Sequence, residues 1–238
     1  MKPKLYQYTA CPFCSKVASV LAYKGVDYEA VEVHPLNKKE IEFSKDYRAV
    51  PIYVDSQGNQ VNNSNDIMRH IDREFPERRV FSVSETDKIR EEKWLAWSEN
   101  YVQGLPTVIY DTLPNSLKAF DYICKTGKFS WFQSRTIKWS GALIMTLVAK
   151  KIKKRLAIED PQVFLRNAVH DWSEGLMGAD FMGGSEPNAA DFAVYGISRS
   201  VAGLSAAKIF RENPIFLQWF LRMNEKTGLP LAVDLVPR

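Results

Sequence analysis

The hydrophobic positions in the first third of the chain alternate between the period of a strand and the period of a helix. Runs rich in β-branched and aromatic residues occupy 4–8 and 28–33 and predict two strands. Between these runs, apolar residues recur at helical spacing over 12–24, and Gly25 follows the last of them. A strand, a helix and a second strand in so short a segment predict a βαβ unit with a parallel strand pair.

A hairpin and another helix complete the pattern of this half. Residues 38–45 predict a short helix, and 51–54 predict a strand that runs into the polar turn 56–59. We expect a partner strand after the turn, which makes a hairpin. Residues 65–75 carry apolar side chains along one face and predict a helix. The first half is therefore predicted to be of the α/β class.

Beyond this half, only helical periodicity remains. Tryptophan, phenylalanine and leucine recur three and four positions apart, as on the buried faces of packed helices. The predicted helices cover 86–104, 115–125, 130–156, 161–176, 188–204 and 214–226. We therefore divide the chain into an α/β domain at 1–78, a linker at 79–85 and an all-helical domain at 86–238.

Composition narrows the possible roles of the chain. Its 238 residues are 45% hydrophobic and 25% charged, which is ordinary for a soluble globular protein. The net charge of +4 is small and dispersed, so we expect no nucleic-acid partner. No apolar run reaches the roughly 20 residues that span a bilayer, and the first residues lack the apolar core of a secretory signal. Three cysteines make no disulfide framework, so we expect the cytoplasm, or a membrane-associated position on a reducing side.

The strongest chemical signal is a pair of cysteines at the first strand–helix junction. Cys11 and Cys14 are separated by two residues, and Pro12 suits the first position of the helix. Cys11 then lies near the N-cap, where unpaired backbone N–H groups and the helix dipole favour an anion and lower the pKa of a thiol. Cys14 is predicted to be a more buried, resolving thiol, and Lys16 to add positive charge nearby.

A C-x-x-C pair can also be half of a structural zinc site, which needs a second pair of ligands. The remaining Cys and His residues are scattered singly, namely Cys124, His34, His70 and His170. We therefore favour redox or nucleophilic thiol chemistry and predict no metal site. Cys124 is predicted to be an inert core residue.

Two further features of the first half have both structural and functional interpretations. Pro51 opens a predicted strand, and the statistics of X–Pro bonds alone favour a trans peptide bond after Val50. Asn63 and Ser64 precede a predicted helix, which they could cap. The same backbone N–H groups could instead hold a ligand carboxylate. Taken alone, the pair favours capping.

Together these motifs resemble a known superfamily. C-P-F-C at 11–14, V-P at 50–51 and the Asn63–Ser64 pair resemble a glutaredoxin-type thioredoxin fold. An all-helical second half is what glutathione transferases append to such a domain. Asn188 and Asp191 also resemble the capping box that opens a buried helix in those transferases. The resemblance implies a thioredoxin-like N-terminal domain followed by a glutathione-transferase-like helical domain.

Nearly the whole chain resembles the membrane-associated prostaglandin E synthase 2 family. The similar strings are LYQY at 5–8, CPFCSKV at 11–17, YRAVPI at 47–52, FDYI at 120–123, GKF at 127–129 and the FMGG…AVYG segment at 181–196. The resemblance implies that Cys11 is the catalytic thiol and that Tyr8 assists it. Cys14 is predicted from its position to be the resolving thiol of the same site.

The same resemblance implies a site for glutathione. The tripeptide is expected beside Val50 and a cis Pro51, with Phe13 nearby and its γ-glutamyl end at Asn63 and Ser64. Asn63 stands where the family has an aspartate. Haem, a lipid substrate and a homodimer are further implications of the resemblance.

Three functional hypotheses remain open. The first is a glutathione-dependent isomerase that converts prostaglandin H2-type endoperoxides to prostaglandin E2. An apolar cleft between the halves, lined by Tyr6, Phe43, Tyr47 and aromatics of the helical half, would admit the lipid. For each of these aromatics alone, core packing is the favoured interpretation. The second is a glutaredoxin-like thiol-disulfide oxidoreductase or a general glutathione transferase. The third is a glutathione- or haem-binding module. The basic, apolar segment 138–157 could also lie on an anionic membrane, although a buried helix with a solvated lysine end is commoner.

Overall fold

The computed structural model describes residues 1–34, 37–126 and 131–230. Within these residues the chain forms four strands, which are β1 (Lys4–Gln7), β2 (Glu29–Glu32), β3 (Ile52–Val54) and β4 (Gln60–Asn62). The helices are α1 (Pro12–Lys24), α2 (Ser64–Glu74), α3 (Glu85–Ile109), α4 (Leu113–Thr126), α5 (Trp131–Arg155), α6 (Pro161–Gly175), α7 (Ala189–Val201), α8 (Ala206–Glu212) and α9 (Pro214–Thr227).

The four strands form one mixed sheet in the order β2-β1-β3-β4. β1 is parallel to β2, and the pairs β1–β3 and β3–β4 are antiparallel. Leu5 pairs with Tyr53, which in turn pairs with Val61, so the three strands are aligned at the buried centre of the sheet. The predicted βαβ unit and hairpin are confirmed.

Helix α1 has the bounds that its sequence predicts. Pro12 occupies the first turn, where its missing N–H is not needed. Gly25 ends the helix in a left-handed conformation, with φ of 68°, and its N–H binds the carbonyl of Ala22. The apolar stripe of α1, including Val17 and Leu21, is fully buried.

The prediction of a helix over 38–45 is wrong for most of that range. The structure has a single 3-10 turn there, at Lys39–Ile41. The guanidinium of Arg48 donates to the carbonyl of Ile41 at 2.9 Å, and the hydroxyl of Ser44 donates to the carbonyl of Tyr47 at 2.7 Å. These side-chain hydrogen bonds satisfy the backbone locally without a longer helix.

Within its described residues, the helical half contains one helix more than predicted. The helix predicted at 188–204 ends at Val201, and α8 follows at Ala206–Glu212. A segment of seven residues is too short to show helical periodicity clearly. α3 is also longer than predicted, because the helical hydrogen bond from Tyr110 N–H to the carbonyl of Pro106 carries it past that proline.

The two halves of the chain pack through α1 and α7. A β-carbon added to Gly196 on α7 would lie 2.5 Å from both the Cα and the backbone N of Lys16 on α1. Only glycine allows the two backbones to approach so closely. Buried side chains of both halves, from Leu5 to Met223, therefore form one continuous apolar core.

The predicted capping box at the start of α7 is present. The side chain of Asn188 accepts from the N–H of Asp191, and the carboxylate of Asp191 accepts from the N–H of Asn188 at 2.9 Å. Asp191 also accepts from the N–H groups of Met182 and Gly183 and from the indole of Trp219. Burial nevertheless raises the pKa of Asp191 to about 6. Among the described residues, no helix combines the length and hydropathy needed to cross a bilayer.

Candidate active site

Cys11 lies in the turn that joins β1 to α1. Its N–H donates to the carbonyl of Tyr8 at 2.9 Å, which closes the turn, and its carbonyl accepts the helical hydrogen bond from Ser15. The backbone of Cys11 is extended, so the residue is the N-cap of α1. Cys11 therefore lies where the C-terminal end of β1 meets the N-terminal end of α1.

The surroundings of Cys11 favour its thiolate. The pKa of Cys11 is lowered, mainly because the thiol of Cys14 donates a hydrogen bond to its sulfur. The backbone N–H groups of Cys14 and Phe13 lower the pKa further, while burial and the Glu32 carboxylate oppose the shift. The side chain makes no capping hydrogen bond of regular geometry, so these amides act on the sulfur chiefly as dipoles.

Cys14 has the opposite tendency. Its side chain is buried, and this burial raises its pKa well above the ordinary value. Its hydrogen bond to Cys11 and the negative charge there raise the pKa further. The pair therefore consists of an accessible sulfur that ionises readily and a buried thiol that stays protonated.

Tyr8 lies beside the two sulfurs. Partial burial and the charges on Cys11 and Cys14 raise the pKa of its phenol, so the hydroxyl remains a neutral donor. None of the hydrogen bonds among the described residues joins this hydroxyl to the Cys11 sulfur.

The prediction that Lys16 adds positive charge beside Cys11 is wrong, because its ammonium is directed to other partners. Its side chain is completely buried, and its ammonium donates to Asn65 Oδ1 at 2.8 Å and to Glu99 Oε1 at 3.1 Å. Burial lowers the pKa of Lys16, and Glu99 opposes that change. The positive charge is therefore paired with Glu99, and the main causes of the lowered pKa of Cys11 lie elsewhere.

A groove of about 350 Å³ opens next to the cysteines. Its lining residues come from the start of α1, the loop before β3, the start of α2 and the middle of α3: Phe13, Tyr47, Ala49, Val50, Pro51, Asn63, Ser64, Asn65 and Glu99. The structure thus brings together all five residues predicted to contact glutathione. The Val50–Pro51 peptide bond is cis, as the resemblance implies.

One wall of the groove offers free backbone groups. Among the described residues, neither the N–H nor the C=O of Val50 takes part in a hydrogen bond. An extended peptide could therefore pair with this residue as an added strand does.

The start of α2 forms the far end of the groove. Asn63 has a positive φ of 67°, and its side chain accepts from the N–H of Asn65 at 3.0 Å, so the predicted cap is present. The hydroxyl of Ser64 has no partner among the described residues. The hydroxyl of Tyr47 accepts from the backbone N–H of Asn63, and the charges of Cys11 and Cys14 raise its pKa after burial does. Tyr47 therefore lies between this end and the thiols.

Two polar groove residues were not predicted from the sequence. Asn65 directly follows the predicted pair, and its contacts with Lys16 and Glu99 carry no signal in the sequence. Glu99 comes from the helical half, and no motif connects it to the cysteines. Only the packing of α3 on α7, which in turn packs on α1, could place its carboxylate beside Lys16 and Asn65.

The remaining His and Cys residues form no metal site in the part of the chain that the structure describes. No group of three His, Cys, Asp or Glu side chains there could hold an ion. His70 instead lies 3.0 Å from Asp55. Cys124 is half-buried on α4, so the expectation of a core residue is wrong.

A larger open cavity lies far from this chemistry. It measures about 590 Å³ and is formed by the end of α6, the loop after it and the start of α9. Its lining includes the Asp180–Arg222 ion pair but no cysteine. We therefore place the candidate active site at the smaller groove.

Comparison with known proteins agrees with this architecture. The family model "Glutathione S-transferase, N-terminal domain" matches residues 5–79. Over 270 residues the chain is 32% identical to prostaglandin E synthase 2 of Danio rerio, a match that covers 95% of this chain and 71% of that protein.

Two solved structures show the same fold. A glutathione S-transferase from Rhodospirillum rubrum has a TM-score of 0.66 at 14% identity, over 93% of this chain and 87% of that one. Glutaredoxin 2 from Salmonella typhimurium, solved in complex with glutathione, has a TM-score of 0.61 at 15% identity, over 99% of each chain. The predicted fold class, a glutaredoxin-type domain followed by a transferase-like helical domain, is confirmed.

Proposed function

The chain belongs to the prostaglandin E synthase 2 family of the glutathione transferase superfamily, and on that premise we propose that it is a glutathione-binding enzyme whose reactive group is the Cys11 thiolate. One observation carries the proposal: a sulfur with a lowered pKa lies at the start of α1, next to a groove with a free peptide edge.

The groove has the groups that an extended glutathione requires. The N–H and C=O of Val50 can pair with the cysteinyl residue of the tripeptide. The Ser64 hydroxyl and the N-terminal end of α2 can bind the carboxylate of the γ-glutamyl residue. Pairing at Val50 brings the thiol of glutathione toward Cys11.

The reaction that we propose is isomerisation of a prostaglandin H2-type endoperoxide to prostaglandin E2. The Cys11 thiolate bonds to the oxygen on the ring carbon that becomes the ketone, and the O–O bond breaks. The second oxygen takes a proton and becomes a hydroxyl. Loss of the proton from the first carbon then forms the C=O bond and breaks the S–O bond, which restores the thiolate. One proton is taken up and one released, so no oxidant or reductant is consumed.

Neighbouring side chains support this chemistry. The raised pKa values of Tyr8 and Cys14 keep both groups protonated, so each can donate the proton that the second oxygen needs. The rings of Tyr6 and Phe43 are in contact, with centroids 5.0 Å apart, and Tyr6, Tyr8 and Tyr47 pack on one small apolar cluster. This aromatic surface suits the hydrocarbon part of a lipid.

A second candidate function is thiol-disulfide exchange, which the hydrogen bond between the two cysteines favours. In that reaction Cys11 attacks a substrate disulfide and releases one thiolate. Cys14 then displaces the other sulfur from Cys11, and the two cysteines form a disulfide. Two molecules of glutathione would return the pair to the dithiol and leave as glutathione disulfide.

Product analysis separates the two reactions. Purified wild type, Cys11→Ser and Cys14→Ser are each incubated with prostaglandin H2 and glutathione. We expect prostaglandin E2 formation by the wild type and by Cys14→Ser, and only the spontaneous breakdown of the endoperoxide with Cys11→Ser. In parallel, reduction of a protein disulfide should fail with Cys14→Ser if the dithiol reaction takes place. Equal yields of prostaglandin E2 from the wild type and Cys11→Ser would exclude the isomerase.

The groove lining supplies no haem ligand of its own. Haem iron is usually ligated by His, Met, Tyr or a Cys thiolate. The described lining residues include no His, Met or Cys, and the lining tyrosine is engaged with Asn63. The thiolate beside the groove, Cys11, is the group that the proposed reaction uses, and the one acidic side chain of the lining would repel the haem carboxylates. The proposed reaction therefore has no haem step.

We also propose the homodimer and the reducing compartment that the superfamily implies. Sedimentation velocity of the purified protein tests the first, and a monomer at every concentration would exclude it.

A further inference from the structure

Glu99 is the one acidic side chain among the described residues that line the groove. It comes from α3, in the helical half, whereas the other lining residues come from the first half. Its side chain is 38% exposed, so its carboxylate is accessible to a ligand. The helical half therefore contributes one negative charge to the groove.

The carboxylate of Glu99 is held through one oxygen. Oε1 accepts from the ammonium of Lys16 at 3.1 Å and from the side-chain amide of Asn65 at 3.3 Å. Lys16 is completely buried, so it fixes this oxygen in place. Oε2 has no hydrogen bond to any of the described residues and remains available as an acceptor.

The neighbouring groups are donors. The Asn63 oxygen is used by the cap of α2, which leaves its amide NH2 as a donor. The Ser64 hydroxyl and the start of α2 also favour an anion. This end of the groove thus combines donors for a carboxylate with one acceptor for a cation, which is the arrangement that an α-amino acid group requires.

We infer that Glu99 binds the α-ammonium of the γ-glutamyl residue of glutathione and so determines specificity for that end of the tripeptide. The inference rests on the proposed binding of glutathione. The ligand ammonium and Lys16 would then lie on either side of one carboxylate. Without that carboxylate, the buried charge of Lys16 would repel the ligand.

Calorimetric titration of Glu99→Gln tests this role. The probes are reduced glutathione and glutaryl-cysteinylglycine, which lacks only the α-amino group. We expect the variant to bind glutathione about 10-fold more weakly, which corresponds to about 1.4 kcal/mol. Binding of the analogue should not weaken, because it has no ammonium to lose and its carboxylates are not repelled by Lys16. Glutamine keeps an oxygen for Lys16, so the variant should fold.

Two further variants make the result specific. Glu92→Gln removes the same charge from α3 at an exposed ion pair with Arg69, outside the groove lining, and should leave both affinities unchanged. Asn63→Asp in the Glu99→Gln background supplies a carboxylate at the same end and should restore glutathione binding. Equal losses for both probes would overturn the inference alone. Failure of the wild type to bind glutathione would overturn the proposed function and the inference with it.

An independent observation concerns the outer surface of α5. Trp139, Leu143, Ile144 and Leu147 are exposed by 57%, 55%, 57% and 53%, although large apolar side chains in this number are usually buried. At about 100° per residue they lie within an arc of about 140° of the helix. The expectation that α5 is simply buried is therefore wrong for this face.

The same face continues into a cluster of cations. Lys150, Lys151, Lys154 and Arg155 are exposed and lie within an arc of about 160° that includes the apolar residues. From Trp139 to Arg155 the face is about 24 Å long. No Asp or Glu occurs between 138 and 157.

We propose that this face of α5 binds the surface of an anionic membrane. The apolar side chains would enter the interface, and the cations would pair with lipid phosphates. A second copy of the face fits less well, since α5 has no acidic residue to neutralise the cations of its partner. Proximity to a bilayer would also give the enzyme access to a lipid substrate.

Sedimentation with vesicles tests this proposal. We expect the protein to bind vesicles that contain phosphatidylglycerol and not vesicles of phosphatidylcholine alone, with weaker binding at high salt. Replacing Lys150, Lys151 and Lys154 by glutamine should weaken binding roughly 100-fold, at about 1 kcal/mol for each cation. The matched control replaces the exposed Lys88, Lys93 and Lys208 and should bind like the wild type.

A second test concerns the apolar residues. Replacing Leu143 and Leu147 by serine should also weaken vesicle binding, whereas replacing the exposed Val163 and Ile215 should not. Absence of vesicle binding by the wild type would overturn the proposal. So would a change of oligomeric state in the leucine variant without any change in vesicle binding, because the face would then be a contact between copies.

Discussion

Cys11 and Cys14 show how strongly position decides the chemistry of a side chain. They are three residues apart and identical, yet the pKa of one is lowered and that of the other is raised. The difference arises because Cys14 is buried one turn into α1 and donates a hydrogen bond to the sulfur of Cys11, which also lies near the N–H groups at the helix start. The positions of the two thiols could be predicted from the helix start marked by Pro12, but the hydrogen bond between them could not.

We expect Cys11 to be alkylated at a pH at which free cysteine reacts slowly. The thiolate is the nucleophile, so a thiol with a lowered pKa begins to react at a lower pH. Rates of iodoacetamide modification, followed by mass spectrometry across pH in a Cys124→Ser background, measure this shift. Cys14 should remain unmodified over the same range.

Cys14→Ala provides the matched comparison. Alanine has no donor for the hydrogen bond that contributes most to the lowered pKa, so the alkylation profile of Cys11 should move to higher pH. A profile like that of free cysteine in the wild type would contradict this description of the site.

Tyr8 is expected to act during the reaction and not on the resting thiol. No described hydrogen bond joins its hydroxyl to Cys11, so Tyr8→Phe should leave the alkylation profile of Cys11 unchanged. Loss of a proton donor should still lower kcat for the endoperoxide by roughly 100-fold. Tyr110→Phe, which removes a hydroxyl outside the groove lining, is the control. Unchanged kcat in Tyr8→Phe would remove this residue from the mechanism.

Among the elements, those with strong local signals were predicted well. Pro12 and Gly25 mark the bounds of α1, and Asn188 and Asp191 mark the start of α7. The failures occurred where side chains compete with the backbone, as at Lys39–Ile41, or where a helix is too short to show a period, as in α8. In both cases the spacing of apolar residues along the chain does not reveal the interactions that determine the local structure.

The contact between α1 and α7 gives a prediction at this scale. In Gly196→Ala the new methyl group would meet the backbone of Lys16 and Ser15, which cannot rotate away. The two helices must separate, and α1 carries Cys14 and Lys16. We expect a loss of about 1–3 kcal/mol in the free energy of unfolding, as for other overpacked cores. Activity should fall as well, because the start of α1 would shift.

Gly203→Ala is the matched control for that variant. Its methyl group would lie 3.0 Å from the ring of Tyr122, a side chain that can move. Urea unfolding should therefore give a smaller loss for Gly203→Ala than for Gly196→Ala. Equal losses would show that the backbone contact is not the cause.

At the scale of the whole molecule, the groove depends on both halves of the chain. Val50, Ser64 and the cysteines could be predicted to meet because they belong to one thioredoxin-like unit. Glu99 could not, since its place in the groove results from the packing of α3 on α7, which packs on α1. The buried Lys16 on α1 binds Asn65 on α2 and Glu99 on α3. The same three side chains therefore link the two halves and form the polar end of the groove.

This shared core predicts that the two halves unfold together. All six tryptophans lie at or beyond position 94, so tryptophan fluorescence reports on the helical half alone. Cys14 is buried in the first half and becomes open to alkylation only when that half unfolds. Because one apolar core includes residues of both halves, from Leu5 to Met223, we expect both probes to give the same midpoint in urea.

In Gly196→Ala, which weakens the junction, exposure of Cys14 should precede the fluorescence change. Separate midpoints in the wild type would mean that the halves are stable independently and that Lys16 and Glu99 meet only as a surface contact.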